Sequence, residues 1–181
     1  MKKILPAFSL IEMLVVISIF TLISIIILAN HSRFNSSVLL GSLAYNIALS
    51  VRQAQVYGVS VQSAPNSTGF ETGYGMHFTT GTSYVLFADM NKNKRYDDGD
   101  SIVKTYSIGR GHTVTGFCGG TTCSPEITSL DVVFIRPNPD ANMTDNNGVS
   151  YPSATITVSS TVDLTRTVRV ASTGQIYVTN P

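Results

Sequence analysis

Residues 8–29 read FSLIEMLVVISIFTLISIIILA, an apolar run with one formally charged residue, Glu12. A run of this length can span a bilayer as a single helix, which takes about 20 apolar residues. A charged side chain in hydrocarbon costs roughly 3 kcal/mol on insertion scales, so Glu12 reads as a functional residue with a partner to find. Lys2 and Lys3 precede the run and no acidic residue does. The positive-inside bias therefore keeps residues 1–7 in the cytoplasm and exports the chain beyond the run. An ordinary secretory signal is cut after its apolar stretch at a small-x-small site. Here the one candidate, Ile27-Leu28-Ala29, begins with a large residue, whereas the small Ala7 stands before the run. Cleavage between Ala7 and Phe8 would remove the basic leader and keep the helix. Phe8 would then carry a free amine one helical turn from Glu12.

The helix is expected to continue past the apolar run. Leu40, Leu43, Ala44, Ile47, Val51 and Ala54 recur at steps of three and four and make one stripe. Ser42, Asn46, Ser50 and Gln53 fall off it, and Gly58 and Ala64-Pro65-Asn66 supply a stop. This predicts one helix from Phe8 to about Tyr57, with two helices broken near Asn30-His31-Ser32 as the alternative. The first part, 8–30, is the membrane half. The second, 31–60, is the amphipathic half.

The remainder, 61–181, reads as a β-rich exported domain. Runs near 74–79, 83–89, 101–108, 130–136, 154–159, 166–171 and 175–179 are rich in Val, Ile, Thr, Tyr and Phe. Gly81, Gly99, Gly148 and Gly174 mark breaks between them. Residues 137–153, rich in Pro, Asn and Gly, read as a long exposed loop. Strands following a helix, without alternating helices, predict an α+β fold: a long helix on a mostly antiparallel sheet.

Ala7-Phe8-Ser9-Leu10-Ile11-Glu12-Met13-Leu14-Val15-Val16 resembles the processing motif of type IV pilins and type II secretion pseudopilins. Farther along, the resemblance is to the H-type minor pseudopilins and related minor pilins. Tyr74-Gly75-Met76-His77-Phe78, Val85-Leu86-Phe87-Ala88-Asp89 with DMNKNKRYDDGD (89–100), Phe134 and Val170-Ala171-Ser172-Thr173-Gly174-Gln175-Ile176 carry it. The resemblance implies a pilin-like fold, cleavage between Ala7 and Phe8 by a prepilin peptidase, and N-methylation of Phe8. It also implies assembly with other pilin or pseudopilin subunits through Phe8 and Glu12, starting from the lipid of the inner membrane. The chain departs from the usual pattern in having Ala rather than Gly at position 7. It also has no Pro between Pro6 and Pro65, so no Pro kink is expected.

Formal net charge is +1, which gives no electrostatic reason to expect a nucleic-acid partner. Cys118 and Cys123 enclose four residues; in an exported domain this favours a disulfide over free thiols, and a lone pair falls short of the four ligands of structural zinc. In DMNKNKRYDDGD (89–100), Asp89, Asn91, Asn93, Asp97 and Asp100 fall at positions 1, 3, 5, 9 and 12 of a calcium loop. The main-chain carbonyl of Arg95 would serve position 7. Against calcium, Lys94 stands where the loop wants glycine, and Lys92, Lys94 and Arg95 add positive charge. The alternative is a polar hairpin loop. His31, His77 and His112 are scattered, and neither a G-x-S-x-G nor a phosphate loop occurs, so no enzyme activity is expected. Two function classes remain: a minor structural subunit of a secretion pseudopilus or pilus, or a membrane-anchored exported protein that binds a ligand alone.

Overall fold

The structure is a computed structural model and describes residues 8–60, 63 and 72–179. Helix α1 spans Leu10–Val59 and passes through Asn30 without interruption. At 1.5 Å per residue it is about 75 Å long. Its last turn closes on Ser60, whose backbone N–H donates to the Val56 carbonyl (2.9 Å) and whose hydroxyl donates to that of Tyr57 (3.2 Å).

Two antiparallel sheets come after the helix, giving an α+β protein. The first contains β1 (Gly73–Thr79), β2 (Ser83–Asp89), β3 (Ser101–Ser107), β6 (Ser129–Phe134), β7 (Ala141–Asp145) and β8 (Ser150–Tyr151), in the order β3-β2-β1-β6-β7-β8. The second contains β4 (Thr113–Gly119), β5 (Thr122–Cys123), β9 (Ser153–Ser159), β10 (Thr165–Ala171) and β11 (Ile176–Thr179), in the order β11-β10-β9-β4-β5. A bridge joins them where Gly81 and Val114 exchange backbone hydrogen bonds of 3.0 and 2.8 Å.

The helical stripe is the centre of the core. Leu40, Ala44, Ile47, Val51 and Ala54 are fully buried, with Met76, Phe78, Leu86, Val132, Phe134, Val168 and Val170 in the same cluster. Leu43 is only partly buried at its margin. Gln55 adds a polar clamp: its amide nitrogen donates to the carbonyls of Pro139 (2.9 Å) and Gly174 (3.0 Å), one from a turn of each sheet. Gly174 is at φ 79°, and a Cβ there would lie 2.1 Å from the Pro139 carbonyl oxygen.

Two expectations are corrected. Residues 137–153 are not one long exposed loop, because β7 and β8 lie within them and Ala141, Met143, Thr144 and Asp145 are buried. The polar composition hid these strands. Asp145 takes the N–H groups of Asn147 and Val149 and the hydroxyl of Tyr151, so its polarity is spent on the turn. Strand β4 also has no counterpart among the runs expected from the sequence. A register shift between Val114 and Gly116 puts the buried side chains of Val114 and Phe117 three apart and spoils the period of two.

Gly58 and Gly41 separate close packing from helix propensity. A Cβ on Gly58 would lie 2.3 Å from the Phe134 carbonyl oxygen, whereas one on Gly41 meets nothing within 4 Å. Gly58→Ala is expected to destabilise the domain by about 1–3 kcal/mol through overpacking. Gly41→Ala is expected to stabilise it by roughly 0.5–1 kcal/mol through helix propensity. Thermal unfolding of both variants checks this, and equal shifts of the same sign would contradict it.

Candidate functional site

The N-terminal half of α1 is a bare apolar surface. Leu10–Leu28 is long and apolar enough to cross a membrane, and none of it is buried. Phe34–Val59 passes the same test by composition, but its stripe is the core helix of the domain. The hydroxyl side chains within the first segment are satisfied internally. Ser18, Thr21 and Ser24 donate to the carbonyls of Val15, Ile17 and Phe20 at 2.8, 2.7 and 2.8 Å. Such bonding removes most of the cost of placing a hydroxyl in an apolar medium.

Glu12 has no comparable arrangement. It lies in the first helical turn, after Ser9, whose carbonyl accepts the Met13 N–H at 3.2 Å. A carboxylate there complements the positive end of the helix dipole. Its side chain makes no hydrogen bond or ion pair among the described residues. Phe8 is exposed just ahead of the helix, while Ala7 and the expected cleavage point lie outside the described residues.

The 89–100 segment joins β2 to β3 and is ordered by its own side chains. Asp89 is buried and accepts the backbone N–H groups of Asn93 (3.1 Å) and Lys94 (2.9 Å). Asp100 accepts those of Met90 (2.9 Å) and Asp97 (3.1 Å). Asp97 takes the Asn91 amide at 2.8 Å, the Asn93 amide at 2.5 Å and the Gly99 N–H at 2.8 Å. The Asn91 and Asn93 side-chain oxygens accept the N–H groups of Asn93 and Arg95. Lys92 and Lys94 adopt φ of 61° and 65°, so lysine itself makes the left-handed turns. Arg95 donates to the Asn146 carbonyl, and the Tyr96 N–H donates to Asp131. Asp131 is also 2.6 Å from the Nδ1 of His77, its cross-strand partner. The His77 ring is thus engaged by Asp131 within the sheet.

Among the described residues no group of three or more His, Cys, Asp or Glu is placed to hold a metal ion. Calcium, however, also uses amide and main-chain oxygens, as the 89–100 pattern would require. Cys118 and Cys123 form a disulfide across the β4–β5 pair. Gln55 and His112 are the residues that sequence reasoning missed. Gln55 lies beside the apolar stripe and gives no sequence signal. His112 sits in Gly109-Arg110-Gly111-His112, where only the flanking glycines hint at a turn. Comparison with protein-family models, curated proteins and solved structures found no match for this chain.

Of the loop carboxylates, Asp89, Asp97 and Asp100 differ in how they hold charge. Burial pushes Asp89 up despite the N–H groups it accepts, and burial likewise raises Asp100. The Asn91 amide, the Gly99 N–H and the Asn93 amide hold Asp97 below the usual carboxylate range. The lowered Asp97 therefore adds stability above its unfolded pKa of about 4, and that contribution is lost as pH falls through its folded value. Asp89 and Asp100 act in the opposite sense, because their raised values make the folded state take up protons first as pH falls. Carboxyl titration by NMR should place Asp97 below Asp89 and Asp100. Asp97→Asn should destabilise the protein near neutral pH, with a deficit that shrinks as the pH falls below the ordinary carboxylate range. A deficit independent of pH would show that the charge of Asp97 contributes nothing.

Proposed function

We propose that this chain is a pilin-type structural subunit, held in a membrane by the first half of α1 and assembled into a fibre through it. The observation that carries the reading is the exposed Leu10–Leu28 segment, continuous with the core helix of the domain and bearing one carboxylate without a partner among the described residues. The outer face of the domain half extends the apolar surface, with Phe34, Val38, Tyr45, Leu49 and Val56 exposed. Their spacing of four and seven suits packing against another helix. The basic Lys2-Lys3 leader supports a cytoplasmic N-terminus, and the disulfide supports an exported domain. On this reading the leader is cut between Ala7 and Phe8 by a prepilin peptidase, and Phe8 is N-methylated. Glu12 then neutralises the Phe8 amine of the neighbouring subunit. Opposite charges attract strongly in low dielectric, and helices already in lipid gain no hydrophobic drive from associating. The polar pair therefore sets the register of assembly.

Glu12→Gln keeps the shape and removes the charge. The variant is expected to be processed normally, to remain in the membrane and to be depleted in fibres at least tenfold, the factor equivalent to about 1.4 kcal/mol. Mass spectrometry of the mature N-terminus and quantitative blotting of sheared fibres test both parts. An N-terminus at Met1 would favour an anchored protein acting alone, and normal incorporation of processed Glu12→Gln would remove the pairing role.

The same subunit reading includes a calcium ion in the 89–100 loop. Asp89, Asn91, Asn93, Asp97, Asp100 and the Arg95 carbonyl would supply its oxygens. Lys94 at φ 65° supports this, because the sharp turn forms there without glycine. Calcium binding to the folded chain alone would raise the melting temperature, by roughly 2–8 °C per kcal/mol of stabilisation. Melting the detergent-solubilised full chain with millimolar calcium and with chelator checks this; coincident curves would return the loop to a plain hairpin.

A further inference from the structure

A pocket of about 350 Å³ lies between α1 and the β3–β4 turn, with Ser42 and Asn46 on the helix side and Ser107, Arg110 and His112 on the turn side. His112 is 5% exposed, and among the described residues neither ring nitrogen has a hydrogen-bond partner. Buried polar side chains in native proteins are nearly always paired, so an orphaned imidazole in a pocket wall calls for an explanation. Arg110 stands two residues away at φ 61°, a conformation rarely taken by a bulky residue. It is exposed and makes no ion pair among the described residues. Among the described residues no carboxylate lines the pocket, and Arg110 is the one formal charge in its wall.

We propose that this pocket binds a small soluble oxyanion, a carboxylate or phosphate. Arg110 would supply the planar donor fork suited to such groups. His112 would add a ring N–H, and Ser42 and Asn46 would add neutral donors. The volume is in the range of small-molecule sites. Both ring nitrogens are closed to solvent, so the anion reaches them when the 109–111 turn shifts; at Gly109 a Cβ would meet nothing within 4 Å, whereas Gly111 lies against the Thr161 methyl. A soluble anion fits better than a lipid phosphate. Leu39, at the pocket edge, is about 16 Å along the helix beyond Leu28, whereas a headgroup layer is roughly 5–8 Å deep. The inference does not depend on the fibre reading.

The test uses the full chain in neutral detergent, with ¹⁵N-labelled histidines assigned through His31→Gln and His77→Gln. Inorganic phosphate is titrated at constant ionic strength against chloride. The His112 ring signals are expected to shift saturably with phosphate and not with chloride. Arg110→Gln, a change at an exposed position, is expected to weaken the response about tenfold, the loss of one charge-assisted contact. A second arm places the protein in nanodiscs with or without phosphatidylglycerol. A His112 response to the anionic lipid alone, to chloride equally, or to nothing would overturn the proposal. An unchanged titration in Arg110→Gln would overturn it as well.

Discussion

Burial of Leu40, Ala44, Ile47, Val51 and Ala54 against two sheets is the contact on which the rest of the molecule depends. The sheets meet through few direct bonds, chiefly the Gly81–Val114 bridge and the hydrogen bond from the Ala141 N–H to the Ser172 carbonyl. The helix covers both, and its small residues let it come close. Ala44 and Ala54 thin the stripe, and Gly58 brings the backbone against Phe134. Polar contacts then fix the register around the apolar ones. Ser50 meets the Tyr84 hydroxyl, Tyr84 stacks on Tyr106, and the Tyr106 hydroxyl donates to Gln53.

The same helix carries two different surfaces along its length. Past residue 34 one face is committed to the domain. Before residue 29 every side is open, and hydroxyls turn back onto their own carbonyls. Glu12 is the exception, since a carboxylate has no proton to donate to a carbonyl when ionised. A charge that the helix cannot satisfy within itself must be met from outside, and the proposed pairing with a neighbouring amine rests on that.

Legibility varied with how directly a residue's neighbours in sequence are its neighbours in space. The helix and its stripe were readable because a period of 3.6 is local: the spacing of Leu40, Ala44, Ile47, Val51 and Ala54 alone marks them as one face. Strands with clean alternation, such as Ala154–Ser159 and Arg166–Ala171, were readable for the same reason. Strand β4 was not, because its bulge breaks the alternation. Strand β7 was hidden by its polar residues Asn142, Thr144 and Asp145; Asp145 spends its polarity on the following turn, and Asn142 donates to the Val133 carbonyl of the neighbouring strand. The 89–100 ligand spacing was legible, but the left-handed turn at Lys94 was not, since lysine gives no hint of positive φ. Gln55 and His112 gave no signal, because their roles rest on partners, or the lack of them, far along the chain.

The Gln55 amide reaches a turn of each sheet from one helical position, near the end of the buried stripe. Its consequence is mechanical. From Leu40 to Gly58 the helix lies against the domain for about 27 Å. A pull along the helix axis loads these contacts in parallel, in shear, and reaches both sheets together through that one side chain. Peeling them away one at a time would need a force across the axis. A domain attached this way resists being dragged by its own N-terminal shaft and yields more readily to a sideways load.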